Sequence, residues 1–379
     1  MPIQIILYFV LLAVLSIFSY GFTDTNLHLS TNQLFVRLHQ PLFNFVNHAR
    51  PATTLTFFIL LVILFGFYLY FLRNGETLFR RKKFFFLFLI FTGAILAFSF
   101  AAFTYDLFNY ITTAKVLFGY HENPYIVMPI DIPNEPYLAF TRAANKLALY
   151  GPVWLVITAI PHYLGGGNVW RTIIAFKLMN AVAWLFMSYL IYRETKSVKN
   201  VLFFALNPLV LIEILVSGHN DIYMMLLALV GIMVWKRNGW KNKILGILSF
   251  VASWWIKGAT VVLTPLFFFR KWSVEKTLTV SYWLLALVFF IATPIREELY
   301  PWYAVWLVST AAFLPLKKHK FMIEFTLILS FALELRQLPY MWMGYYEGVG
   351  PALRLAFTVI PLAVYLGYVA VMKLTKRYA

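Results

Sequence analysis

Residues 3–22 and 84–102 are almost unbroken apolar runs, each close to the roughly 20 residues that a helix needs to cross about 30 Å of hydrocarbon. Lipid offers no partner to an exposed backbone N–H or C=O, so such runs fold as helices that satisfy their own backbone. Similar runs recur to the C-terminus, and only 12% of the 379 residues are charged, about half the share in a soluble domain. The expectation is an all-α, polytopic integral membrane protein, a single membrane domain of about 11–12 transmembrane or re-entrant helices. Lipid-exposed open sheets and collagen-like or disordered architectures are excluded.

The 32 Lys and Arg against 15 Asp and Glu give a net charge of +17, which in a soluble protein would suggest nucleic acid. Here the placement of the charges decides. Basic clusters recur between apolar runs, at Arg80 to Lys83, Arg193 to Lys199, Lys236 to Lys243, Arg270 to Lys276, Lys317 to Lys320 and Lys373 to Arg377. Most acids, among them Asp24, Asp106, Glu122, Asp131, Glu135, Asp221, Glu297, Glu298 and Glu347, fall in the alternate segments. The positive-inside rule puts the basic loops in the cytoplasm and the acidic ones outside. The charge is thus a topology signal, and no nucleic-acid partner is expected. The absence of cysteine removes disulfides, thiolate metal sites and a thiol nucleophile. The first run has neither a basic n-region nor a small-residue cleavage site, so it is expected to stay as an anchor.

Organisation follows from these loops. Residues 1–83 read as a helix pair joined by a surface helix within 24–50; 84–276 read as a core holding a long external loop, 105–150; 277–379 read as C-terminal transmembrane helices. The run 152–164 is short for a span and is expected to be re-entrant. The run 244–269 is too short for two full spans yet lies between basic loops, so it is expected to form a broken hairpin with Trp254, Trp255, Ile256 and Lys257 near its tip. Non-helical backbone at that depth belongs where it lines a polar cavity.

Three groups of polar residues sit at external helix ends. Tyr105, Asp106, Asn109 and Tyr110 place an acid at a helix N-terminus, where the dipole keeps it ionised as a base requires; a plain helix cap explains the same spacing. His219, Asn220 and Asp221 suit metal binding, proton relay or a phosphate, and equally a tight turn. Lys257 is an amine among apolar residues, suited to an anionic headgroup or to snorkelling. The P-loop, zincin, nucleophile-elbow and dinucleotide signatures are absent from the sequence.

In order along the chain, Asp106, Asn109-Tyr110, Asn123-Pro124-Tyr125, Tyr150-Gly151-Pro152, Asn207-Pro208-Leu209, Gly218-His219-Asn220-Asp221, Lys257 with Pro265, and Pro301-Trp302-Tyr303 resemble the polyprenol-phosphate-mannose-dependent α-1,6-mannosyltransferases, which are GT-C glycosyltransferases. The resemblance spans roughly 84–308 and implies a GT-C fold. It also implies a polyprenyl-phosphate sugar donor, a glycan or glycolipid acceptor, an active site on the external face of the cell membrane, and an essential acid at Asp106. With that donor granted, catalysis needs a base on the acceptor hydroxyl and positive charge on the leaving phosphate. Asp106 is then the base of an inverting displacement. Lys257, His219, Arg142 and Arg171 are the candidates for the phosphate. Tyr105, Asn109, Tyr110, Asn123, Tyr125, Tyr150, Asn220, Asp221, Trp302 and Tyr303 are candidates for substrate contact. No cofactor and no essential metal are expected, and the remaining partners are membrane lipids. A flippase or transporter of lipid-linked sugars and an oligosaccharide ligase stay open as alternatives, although the two matching halves common in transporters are not evident.

Overall fold

The computed structural model describes residues 2–24, 27, 33–296 and 298–378; Glu297, one of the acids assigned to the external side, lies outside them. Helices α1 (Ile3–Ser19), α2 (Gln33–His48), α3 (Arg50–Leu78), α4 (Lys82–Ala97) and α5 (Asp106–Phe118) lead into the loop that ends at Tyr150. Helices α6 (Pro152–Gly165), α7 (Val169–Thr195), α8 (Val198–Ala205), α9 (Pro208–Val216), α10 (Asp221–Trp235), α11 (Trp240–Trp254) and α12 (Val274–Ile295) follow. The chain closes with helices Val305–Ala311, Lys320–Glu334, Gln337–Met343 and Gly350–Tyr378, and no strand occurs among the described residues.

Among the described residues five helices are long and apolar enough to cross a membrane alone, and the α8–α9 pair, bent by 52°, is a broken span or a re-entrant loop. The others are shorter: α6 has 14 residues, roughly 21 Å at 1.5 Å per residue. The membrane domain therefore combines a few full spans with many short or broken helices. The bend between α8 and α9 comes from Pro208, which cannot donate a backbone hydrogen bond. The Asn207 side chain restarts the helix by accepting from the Leu209 N–H at 3.0 Å. Beyond the bend, residues 211–216 wind as a π-helix.

The run 244–269 breaks at the expected tip. Helix α11 stops at Trp254, Lys257 is extended (φ −158°, ψ 125°), and the return arm Gly258–Phe267 is a 3₁₀ helix rather than an α-helix. Helices α10 and α11 pack backbone to backbone: a Cβ on Gly231 would stand 2.9 Å from the Gly246 carbonyl oxygen.

Ion pairs and hydrogen bonds gather the basic loops at one end of the molecule. Lys82 lies 5.7 Å from the Tyr192 ring, and Glu194 binds both Arg193 and Arg237 at 2.7 and 3.0 Å. Lys236 donates to the carbonyls of Phe269 and Trp272, while Glu275 binds Lys318 and His319. The opposite end holds Asp24 with Arg142 at 3.2 Å and Glu298 with Arg336 and Arg354 at 3.1 and 2.9 Å. There α2 lies across the ends of α1 and α3, its Asn47 donating to the Gly21 carbonyl and its Phe45 carbonyl accepting from Thr53.

Candidate active site

At the acid-bearing end the helix ends surround a cavity of about 1330 Å³. Tyr105, Asp106, Asn109, Tyr150, Lys257, Trp302 and Tyr303 line it together with Arg50, Arg142, Lys146, Glu298, Tyr346 and Arg354.

Asp106 is the first residue of α5, whose start is held by the Thr104 hydroxyl accepting from the Asp106 N–H at 3.1 Å. Its carboxylate does not serve as the cap. It accepts instead from the Tyr150 hydroxyl at 2.9 Å, and Oδ2 lies 3.4 Å from His219 Nδ1. Tyr150 is placed by the next residue. The Gly151 and Val153 N–H groups donate to the Ile256 and Trp255 carbonyls, each at 3.1 Å, and a Cβ on Gly151 would fall 2.1 Å from the Trp255 oxygen. Only glycine fits there, so the Tyr150 segment is zipped onto the broken tip that carries Lys257.

Lys257 reaches both oxygens of Asp221 at 3.1 and 3.0 Å, and Asp221, fully buried, also accepts from the Trp306 indole at 2.7 Å. The ammonium lies 4.5 Å from the Tyr303 ring, close enough for a cation–π contact. His219 is likewise fully buried. Its Nε2 is 3.1 Å from Glu213, and Trp302 stacks on its face at 4.0 Å, with Tyr300 stacked on Trp302 in turn. The segment is pinned from α7: Lys177 donates to Ser99 and to the Val216 carbonyl, and Asn180 donates to the Ile214 and His219 carbonyls.

Burial pushes the Asp106 carboxyl upward, but the His219 imidazole, then Lys257 and the Tyr150 hydroxyl, outweigh it and hold the group below its usual range. Burial alone would depress His219; the Asp106 and Glu213 carboxylates reverse this and lift it to about 9. Near neutral pH the cavity therefore faces an ionised carboxylate backed by an imidazolium.

Of the residues picked from sequence, Tyr105, Asp106, Asn109, Arg142, Tyr150, Lys257, Trp302 and Tyr303 come together around the cavity. Others do not. Arg171 is exposed in the first turn of α7, where its N–H is held by the Asn168 cap, and is not among the residues that line the cavity. His219 lies behind Trp302, with Asn220 and Asp221 buried beside it, so its contact is with Asp106 rather than with a cavity ligand. Tyr110 is buried against Tyr150 and Trp154. Asn123 and Tyr125 are exposed outside the lining, with the Tyr125 hydroxyl donating to the Tyr150 carbonyl at 2.8 Å. Sequence reasoning missed Glu213, Glu334 and Lys177, each fully or almost fully buried, although a charge inside an apolar helix was the available signal. It also missed Arg50 and Arg354, which stand in the cavity wall in the first turns of their helices, and Lys146, which reaches it from the loop before α6.

No curated protein and no solved structure matches the chain. The stretch 11–273, which carries Asp106, Tyr150, His219 and Lys257, matches the family model for the N-terminal domain of alpha-(1->6)-mannopyranosyltransferases. Because that match covers most of the chain, the polytopic protein belongs to the alpha-(1->6)-mannopyranosyltransferase family and is a mannosyltransferase.

Proposed function

We propose that the protein transfers mannose from a polyprenyl-phosphate donor to a hydroxyl of a glycan or glycolipid acceptor, at the external face of the membrane and with inversion. One observation carries this reading. Among the described residues, Asp106 and Glu298 are the acids in a cavity wall that also holds Arg50, Arg142, Lys146, Lys257 and Arg354, and Glu298 is engaged by Arg336 and Arg354. That leaves Asp106 as the carboxylate facing a cationic chamber, which suits a base beside an anionic leaving group.

In the proposed step the acceptor oxygen attacks the anomeric carbon while an Asp106 oxygen takes its proton. The bond between that carbon and the phosphate oxygen breaks, and the electron pair leaves with polyprenyl phosphate. Lys257 and the arginines balance the charge that develops on the phosphate. An apolar groove of about 440 Å³, lined by Trp235, Phe250, Trp254, Phe267 and Phe268 among others, suits the polyprenyl chain. Trp254 lines both groove and cavity. Membership of a transferase family favours this reading over a transporter of lipid-linked sugars.

The test is Asp106→Asn, which keeps size and hydrogen-bonding capacity but cannot accept the proton. With polyprenyl-phosphate-mannose as donor and an alkyl mannoside as acceptor probe, turnover is expected to fall by roughly 10²-fold or more, with donor binding retained and wild-type transfer insensitive to chelators. A fully active Asn variant removes the base assignment.

A further inference from the structure

We propose that Glu213 is a positioning residue of the transferase, acting through His219 to hold Asp106 as an aimed carboxylate. The inference rests on the reading of Asp106 as the base and goes beyond it, because Glu213 touches no cavity surface. Three titratable groups stand in line. Asp106 faces Nδ1 of His219 at 3.4 Å, and Glu213 faces Nε2 at 3.1 Å. An imidazole with a carboxylate at each nitrogen is a bridge, and Trp302 stacked on its face keeps it from the cavity.

The bridge is built at a cost. A histidine and a glutamate are both removed from water, and isolated buried charges are strongly unfavourable unless paired. A merely structural contact could be made by apolar side chains. Instead, Glu213 sits in the π-helical turn 211–216, a geometry frequent at functional sites. The His219 N–H donates to the Glu213 carbonyl at 3.0 Å, so the same residue fixes the loop by its backbone and the ring by its side chain. Lys177 and Asn180 hold the segment from α7.

Charge counting shows what Glu213 does. With Asp106 and Glu213 ionised and His219 protonated, the trio carries one negative charge and becomes neutral when Asp106 takes the acceptor's proton. Without the Glu213 charge the imidazole binds its proton less tightly, and Asp106 loses the cation that keeps it ionised. The other groups facing this line are Lys257, Tyr150 and Tyr110 around Asp106, and Asp221 and Glu334 around Glu213.

The test uses the full chain in nanodiscs, with polyprenyl-phosphate-mannose and the same acceptor probe. Glu213→Gln keeps shape and removes charge. It is expected to lower kcat by roughly tenfold or more with little change in donor KM, and to move the acidic limb of the kcat profile to higher pH. Combined with Asp106→Asn, it is expected to cause no further loss. If Glu213→Gln does not fold, His219→Gln tests the same link from its other end, with the same expected shift. An unmoved kcat and acidic limb in a folded variant overturns the proposal even when Asp106→Asn is dead. An active Asp106→Asn protein instead overturns the base assignment, and the positioning role with it.

Discussion

Lys257 meets the cavity already paired, since both oxygens of the buried Asp221 face its ammonium. Replacing it therefore does two things at once. Lys257→Met leaves Asp221 with the Trp306 indole and no cation, a loss of about 3 kcal/mol for breaking a largely buried pair. In the function proposed above it also removes a charge for the donor phosphate. Lys257→Met with Asp221→Asn should regain most of the lost melting temperature yet bind donor as weakly as the single variant; recovery of donor affinity would show that Lys257 serves the fold alone. His219 gives a second expectation. Its proton is held to about 9 in the folded chain against 6.5 for an unperturbed histidine, so its stabilising contribution is complete below about 6.5 and fades as pH rises through about 9. Melting temperature should fall across that window, and less steeply in His219→Gln. Asp106 stands out in the sequence as an acid at an external helix N-terminus, and Lys257 as a charge where hydrocarbon is expected. Glu213 obeys the same rule, but its importance depends on a ring whose other nitrogen meets Asp106, more than a hundred residues earlier in the chain, and no local pattern reports that meeting.

Two close backbone approaches position the elements that carry these side chains. At Gly151 the Trp255 carbonyl occupies the place of a Cβ, so Gly151→Ala must part the Tyr150 segment from the broken tip. Both Asp106's hydroxyl partner and Lys257 ride on that junction, and transfer should fall at least tenfold while a melting assay registers about 1–3 kcal/mol of overpacking. Gly231→Val should destabilise the α10–α11 pair by a similar amount, because a Cβ there meets the Gly246 oxygen and the Phe250 backbone; being remote from Asp106, it should leave kcat of the folded fraction near wild type. The hairpin tip at Trp254 to Lys257 could be read from length alone: two full spans do not fit between the basic loops. The 3₁₀ return arm and the π-helical turn could not. Periodicity reveals a helix only where a polar stripe supplies phase, and residues 201–216 hold too few polar side chains to distinguish windings of three, four or five residues.

Across the whole molecule, the loops that the sequence marks as basic converge on one end and the cavity opens at the other. The chain has no cysteine, so single substitutions report topology against a blank background. Lys83→Cys, Lys241→Cys and Lys318→Cys should resist an impermeant maleimide added to intact cells, while His121→Cys and Lys146→Cys should react; labelling of both sets alike would reverse the assignment of sides. The overall plan was legible because charge sorting and span length act on every loop. The cavity's full lining was not, since Arg50 and Arg354 join it from distant parts of the sequence. The shared indole of Trp254 has a kinetic consequence. If the donor's tail lies in the groove while its sugar reaches the cavity, the substrate never leaves the plane of the bilayer, and the enzyme senses its mole fraction among lipids rather than its amount per litre. Adding inert phospholipid at fixed donor and enzyme should then slow initial rates in proportion to dilution within the surface, whereas adding buffer should leave the rate per molecule of enzyme unchanged.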